Sequence, residues 1–202
     1  MIRTPNIVSV HPSVPVKSIA ELMGYIKANE GVSYATSGTG QSPHLTAAWF
    51  LQLTGLKMTH VPFRGAGPAI TAALGGQVPI LFDNLFPTLP QVRGGKLRGL
   101  GVTSAERSRA APDIPAIAET LPGYVATSWY GIGVPAGTPE PIVAKLEAAI
   151  GQALARPEVI ERFTGDLGMD MPPAGRKGLQ AFIDADRALW APAVKASGVR
   201  FE

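Results

Sequence analysis

Between residues 32 and 103 short β-branched or apolar runs alternate with segments bounded by glycine and proline, and that rhythm constrains the fold more than any other feature. Val32-Ser33-Tyr34-Ala35-Thr36 reads as a strand and runs directly into the glycine loop Ser37-Gly38-Thr39-Gly40-Gln41. A helix should follow, with Ser42 as N-cap, Pro43 at the first helical position, and Leu45, Trp49 and Leu53 at four-residue spacing before Gly55 stops it. The unit then recurs. Met58–Pro62 is a strand, Phe63–Gly67 a loop, and Pro68–Leu74 a helix closed by Gly75-Gly76. Val78–Phe82 is a strand ending on Asp83-Asn84, Leu85–Val92 a helix closed by Gly94-Gly95, and Leu97–Thr103 a strand. The pattern β-α-β-α-β-α-β predicts a largely parallel sheet with helices on both faces. Upstream, Asn6–Val10 reads as a further strand, and Ser18-Ile19-Ala20-Glu21 as a capping box opening a helix to about Asn29.

Beyond Ala105 the character changes. A proline-marked loop leads at Thr127–Val134 to a long apolar and aromatic strand. Thr138-Pro139-Glu140-Pro141 then opens an amphipathic helix, Pro157 starts another, and Leu179–Val194 forms a last helix expected to bury Phe182, Ile183 and Leu189, with Trp190 a further candidate. The boundary falls at that strand, giving an α/β unit at 1–127 and a mainly helical part at 128–202.

Composition narrows the function. Positive residues are scattered and the net charge is only +3, so no basic run with interleaved aromatics marks a nucleic-acid surface. The absence of cysteine removes disulfides, thiolate metal sites and cysteine nucleophiles. His11, His44 and His60 lie on separate elements without metal-ligand spacing, so no metal and no cofactor is expected. No segment resembles a membrane span or an export signal.

The glycine loop is the leading candidate site. At the carboxyl end of a strand, a helix N-terminus offers unpaired amides and about half a positive charge. Ser37, Thr39, Gln41 and Ser42 add short polar side chains, while Gly38 and Gly40 let a ligand approach the backbone. A small carboxylate suits this loop. It lacks the lysine of a phosphate-binding Walker loop, and Pro43 replaces the third glycine of a dinucleotide fingerprint. The alternative is a well-capped turn without a ligand. Arg64 could pair with a carboxylate or be a solvated surface residue. Asp83, followed by Asn84, could accept from a ligand or cap the next helix, and His44 could touch ligand or pack locally. Trp129-Tyr130 could line a cleft, with the core as the default. No nucleophile–base arrangement or paired carboxylates stand out, so no catalytic residue is named.

An ordered series of motifs goes further. Val10-His11-Pro12-Ser13, Ser33-Tyr34-Ala35, Ser42-Pro43-His44-Leu45, His60-Val61-Pro62-Phe63-Arg64-Gly65, Gly75-Gly76-Gln77-Val78 and Phe82-Asp83-Asn84 occur in sequence. Gly95-Lys96-Leu97-Arg98, Val102-Thr103-Ser104, Ser128-Trp129-Tyr130-Gly131 and Pro135-Ala136-Gly137-Thr138-Pro139 follow. Across its whole length the series resembles the substrate-binding proteins of tripartite tricarboxylate transporters, the Bug-type receptors. The resemblance implies an α/β, type II periplasmic-binding-protein fold whose two domains close on a dicarboxylate, tricarboxylate, acidic amino acid or aromatic acid. It implies partnership with membrane permease subunits and a periplasmic location for the full-length protein. Ligand contacts would fall on Ser37–Ser42 and Phe82–Asn84, with domain crossings near Ile7–Val10 and Ser128–Gly133. The part before this chain would supply a Pro-Gly-Gly-type loop as the other half of a carboxylate clamp. The chain would then hold the second domain whole and only the C-terminal helices of the first. Two other classes stay in view: a shortened, non-transporting ligand-binding or interaction module, and a small α/β hydrolase or lyase. Nothing in the sequence chooses among the acids.

Overall fold

The computed structural model describes residues 1–171, 175–176 and 178–199. Its first helix begins where local chemistry places it: Ser18 Oγ accepts the Glu21 amide at 3.1 Å, and Glu21 Oε2 reaches back to the Lys17 amide at 2.8 Å. Helix α1 (Ile19–Ala28) follows strand β1 (Ile2–Val10). The alternation then runs β2 (Ser33–Thr36), α2 (Ser42–Thr54), β3 (Thr59–Pro62), α3 (Ala66–Leu74), β4 (Ile80–Asn84), α4 (Leu85–Arg93) and β5 (Arg98–Val102). After a long loop come β6 (Thr127–Tyr130), α5 (Glu140–Leu154), α6 (Pro157–Glu161) and α7 (Leu179–Ser197).

The strands lie in the order β3-β2-β4-β1-β5. β2 is parallel to β3 and to β4, whereas β1 is antiparallel to both β4 and β5. Periodicity reports which residues are buried but not which way a strand runs, so this reversal was not legible in the pattern. Its cause is visible in the pairing of β1. Ile2–Pro5 pair with β6 through Ile2↔Tyr130 and Pro5↔Thr127, and from Asn6 onward the strand pairs with β4 through Asn6↔Asn84. β1 therefore enters at the rim where β2, β3 and β4 end, and runs back down between β4 and β5. Pro5, which has no amide to donate, sits at the change of partner.

Two apolar layers cover the sheet. Val8, Val10, Ile80 and Phe82 meet Leu22 and Ile26 of α1 and Phe50 of α2 on one face. On the other, Ala35 and Leu81 meet Ala69 and Ala73 of α3, while Ile7 and Val102 meet Leu85 and Leu89 of α4. The helical third is different: α5 and α6 bury no residue. Leu189 of α7, expected to be buried, is 44% exposed. The division at 128–202 also reaches residues 172–174, 177 and 200–202, which lie outside the described residues. Among those described, no helix is long and apolar enough to cross a membrane.

Candidate functional site

The rim at which β1 changes partners gathers polar side chains from four elements. Asn6, fully buried, donates its Nδ2 to Thr46 Oγ1 at 3.1 Å, while its backbone exchanges hydrogen bonds with Thr103. The Ser128 hydroxyl lies 3.0 Å from Asn6 Oδ1, 2.9 Å from Asn84 Oδ1, and against the Ser42 hydroxyl. A hydroxyl has one proton, so Ser42 donates to Ser128, which donates in turn to one of the two asparagines. This knot ties together β1, α2, β4 and β6.

Ser42 was expected to cap α2. It is instead the first helical residue, Gln41 occupies the cap without a side-chain bond, and the serine hydroxyl is taken by Ser128. The reason is competition: a partner 86 residues away in sequence offers a bond in place of the local one. A cavity of about 360 Å³ opens above the knot, lined by Gln41, Ser42 and Leu45 of the α2 start, Asn84, Thr127–Tyr130 of β6, and Trp190 of α7. Trp129 donates its indole N–H to Asp186 at 2.9 Å, which fastens α7 beside the opening.

The glycine loop borders this cavity. Gly38 (φ +154°) and Gly40 (φ +76°) adopt left-handed backbone that other residues resist. Their amides turn to Thr36 Oγ1 at 3.4 Å and His44 Nδ1 at 3.1 Å. The Thr39, Gln41 and Ser42 amides have no acceptor among the described residues, and they lie at the positive end of a thirteen-residue helix. Ser37 Oγ donates to Gln41 Oε1 at 3.3 Å, holding that side chain at the cavity edge.

Asp83 lies behind the loop. It is fully buried; Oδ1 accepts the Asn84 amide at 2.8 Å, and Oδ2 has no partner among the described residues. Burial pushes its carboxyl up to about 6, against weaker opposing pulls from the Asn84 amide and Ser37. Tyr130 is raised by burial and then by the Asp83 charge. Helix α4 takes Asn84, not Asp83, as its cap residue.

The structure thus brings Ser37–Ser42, Asp83 and Asn84 to one rim. His44 lies one turn inside, where its ring stacks on His60 and helps to line a second cavity of about 470 Å³. Arg64 is exposed on the β3–α3 loop and lines neither cavity. That loop is nonetheless bonded to the site, since the Gly65 amide donates to Ser37 O at 2.9 Å. Trp129 and Tyr130, with the core as their default, line the cavity, and Tyr130 is 45% exposed. Asn6 carries no site signal in the sequence, and Trp190, a core candidate of the last helix, lines the cavity. Ser128 enters only through the motif Ser128-Trp129-Tyr130-Gly131, because a lone serine on a strand carries no signal of its own. Among the described residues, no group of three or more histidines or carboxylates could hold a metal.

Comparison with known proteins identifies the family and the fold. The sequence profile of the tripartite tricarboxylate transporter family receptor matches residues 1–199. Protein BugT of Bordetella pertussis is 30% identical over 200 residues, 98% of this chain and 61% of its own length. A protein from the tcbD-tcbE intergenic region of Pseudomonas sp. strain P51 is 34% identical, over 78% of this chain and 48% of its own. The chain therefore spans roughly half to three-fifths of these relatives. Among solved structures, R. palustris Rpa4515 with adipate superposes with a TM-score of 0.92 at 32% identity, covering 98% of this chain and 67% of that one. MatC of Rhodopseudomonas palustris with bound malate gives 0.88 at 31%, covering 96% and 67%. The periplasmic binding protein BugD gives 0.91 at 31%, covering 100% and 68%. With the profile matched along almost its entire length, the chain belongs to the tripartite tricarboxylate transporter receptor family.

Proposed function

We propose that the chain supplies one side of a receptor site for a small carboxylate, which the full-length protein would carry in the periplasm to a membrane permease without making or breaking a bond. The observation that carries this reading is a cavity lined by Gln41 and Ser42, whose amides have no acceptor among the described residues, together with Asn84 and Ser128. Oriented amides at a helix start suit a carboxylate better than a neutral solute. The solved relatives with adipate and with bound malate support the same class. The buried Asp83 lends polarity behind the loop and would act on a ligand through its neighbours, and the Ser37–Ser42 and Asn84 positions are the proposed contacts. His44 acts one step removed, and Arg64 could meet a second anionic group only through movement of its loop.

The switch of β1 between β6 and β4 also supports a boundary near residue 127, with Ile2–Pro5 pairing on the 128–202 side and both crossings at the rim. Titration calorimetry with malate, adipate, citrate and aspartate tests the reading. Saturable binding without turnover is expected, and it should weaken at least tenfold in a Gly40→Val, Ser42→Ala double variant, which removes the left-handed turn and one hydroxyl. Failure of every acid to bind at millimolar concentration, or full affinity in that variant, would remove the assignment.

A further inference from the structure

His44 stands at the third position of α2, and the parallel register of β2 and β3 sets Tyr34 opposite His60. The result is a pile of three rings. His44 lies on His60 with centroids 4.1 Å apart and planes within 9°, and His60 lies on Tyr34 at 5.0 Å and 23°. Packing alone would accept any flat ring here. The ring nitrogens add what a phenyl could not: His44 Nδ1 accepts the Gly40 amide at 3.1 Å, and His60 Nε2 lies 2.7 Å from Thr36 Oγ1. Thr36 Oγ1 in turn receives the Gly38 amide at 3.4 Å. Each glycine of the loop is therefore anchored, directly or through Thr36, to one imidazole.

Building on the carboxylate reading above, we propose that His44 and His60 are positioning residues for the loop. They hold the Gly38 and Gly40 amides inward and so leave the Thr39, Gln41 and Ser42 amides for the ligand. A histidine four residues after its amide partner works here as an extended form of the capping box, reaching back one residue beyond the cap itself. Burial lowers the pKa of both rings, and the charge His44 would carry lowers His60 further, to about 4. Near neutrality His44 Nδ1 therefore keeps the lone pair that the Gly40 amide requires. Without that acceptor, the Gly40 amide would be left unsatisfied or would turn outward, and the amides presented to a ligand would change.

The test separates ring from acceptor. His44→Phe keeps a flat ring and removes Nδ1, whereas His44→Asn gives up the ring but places an oxygen close to the Nδ1 position. In titrations with malate and adipate, His44→Phe should lose at least about tenfold in affinity, and His44→Asn should stay within about threefold of the parent. His60→Phe, which keeps the stack and loses the Thr36 partner, should fall between them. The Gly40 amide-proton chemical shift should move upfield in His44→Phe and remain near the parent value in His44→Asn. Parent affinity in His44→Phe, or a His44→Asn as weak as His44→Phe, would overturn the proposal. Should the parent bind neither acid, the carboxylate reading falls. The Gly40 shift then still decides the positioning role, because an unmoved signal in His44→Phe refutes it.

Discussion

The α/β unit and the helical third obey different rules of stability. In the first, Phe50, Phe82, Leu22 and Ile80 are fully buried, and the sheet is sealed on both faces. In the second, Ile142 and Leu146 of α5 are 51% and 42% exposed, and α5 is held through Arg176, which bonds Glu140 and Glu147 at 2.7–3.0 Å. Only α7 packs firmly, against α2 at the edge of the cavity. Burial organises one region, and helix propensity with surface ion pairs organises the other. A region of the second kind keeps its shape locally, but contributes little to a cooperative core.

The sharpest way to break that contrast is a matched pair of truncations. Phe82→Ala should cost about 3–5 kcal/mol in urea unfolding, whereas Leu146→Ala should cost under about 1 kcal/mol. Equal losses would mean that α5 shares the core. Asp83→Asn comes next. The folded-state pKa of Asp83 lies above its ordinary value, so its contribution favours the fold below pH 3.8 and is lost as the pH rises through about 6. The variant should be more stable than the parent by roughly 2–3 kcal/mol above that window, and the gain should vanish below it.

His60 has the opposite sign. Its folded pKa is depressed from 6.5 to about 4, so its contribution is full above pH 6.5 and is lost as the pH falls through 4. His60→Gln should flatten that acid limb, by less than Asp83→Asn changes stability above pH 6, because the ring is only half-buried. Arg176→Ala should have the smallest effect: faster amide exchange in α5 at low salt, largely erased at high salt, with the global unfolding midpoint unmoved. Together these place pH sensitivity in the α/β unit and salt sensitivity in the helices.

Much of this was readable in the residues themselves. Glycine and proline punctuate elements through backbone geometry, which is local, so the Ser18 start of α1, the Gly55 stop of α2 and the loop at Ser37–Gln41 could be placed from sequence. Strand direction could not, because side-chain alternation is the same whichever way a strand runs. Nor could the Ser42–Ser128 contact, the Asn6 network or the His44–His60 stack, since each joins elements whose proximity depends on topology. The failed expectation at Leu189 has a related cause. An apolar stripe shows that a helix has a face to bury, not that a surface is present to meet it.

The position of β1 also bears on how the chain reaches its fold. This strand precedes all of its partners, which begin at residues 80, 98 and 127. On a ribosome, β1 must wait for β4 while α1, β2, α2 and β3 are synthesised, and its last partner, β6, ends only at Tyr130. Such remote pairings slow folding, and they leave the inner edge of β4 open to stray strands until β1 arrives.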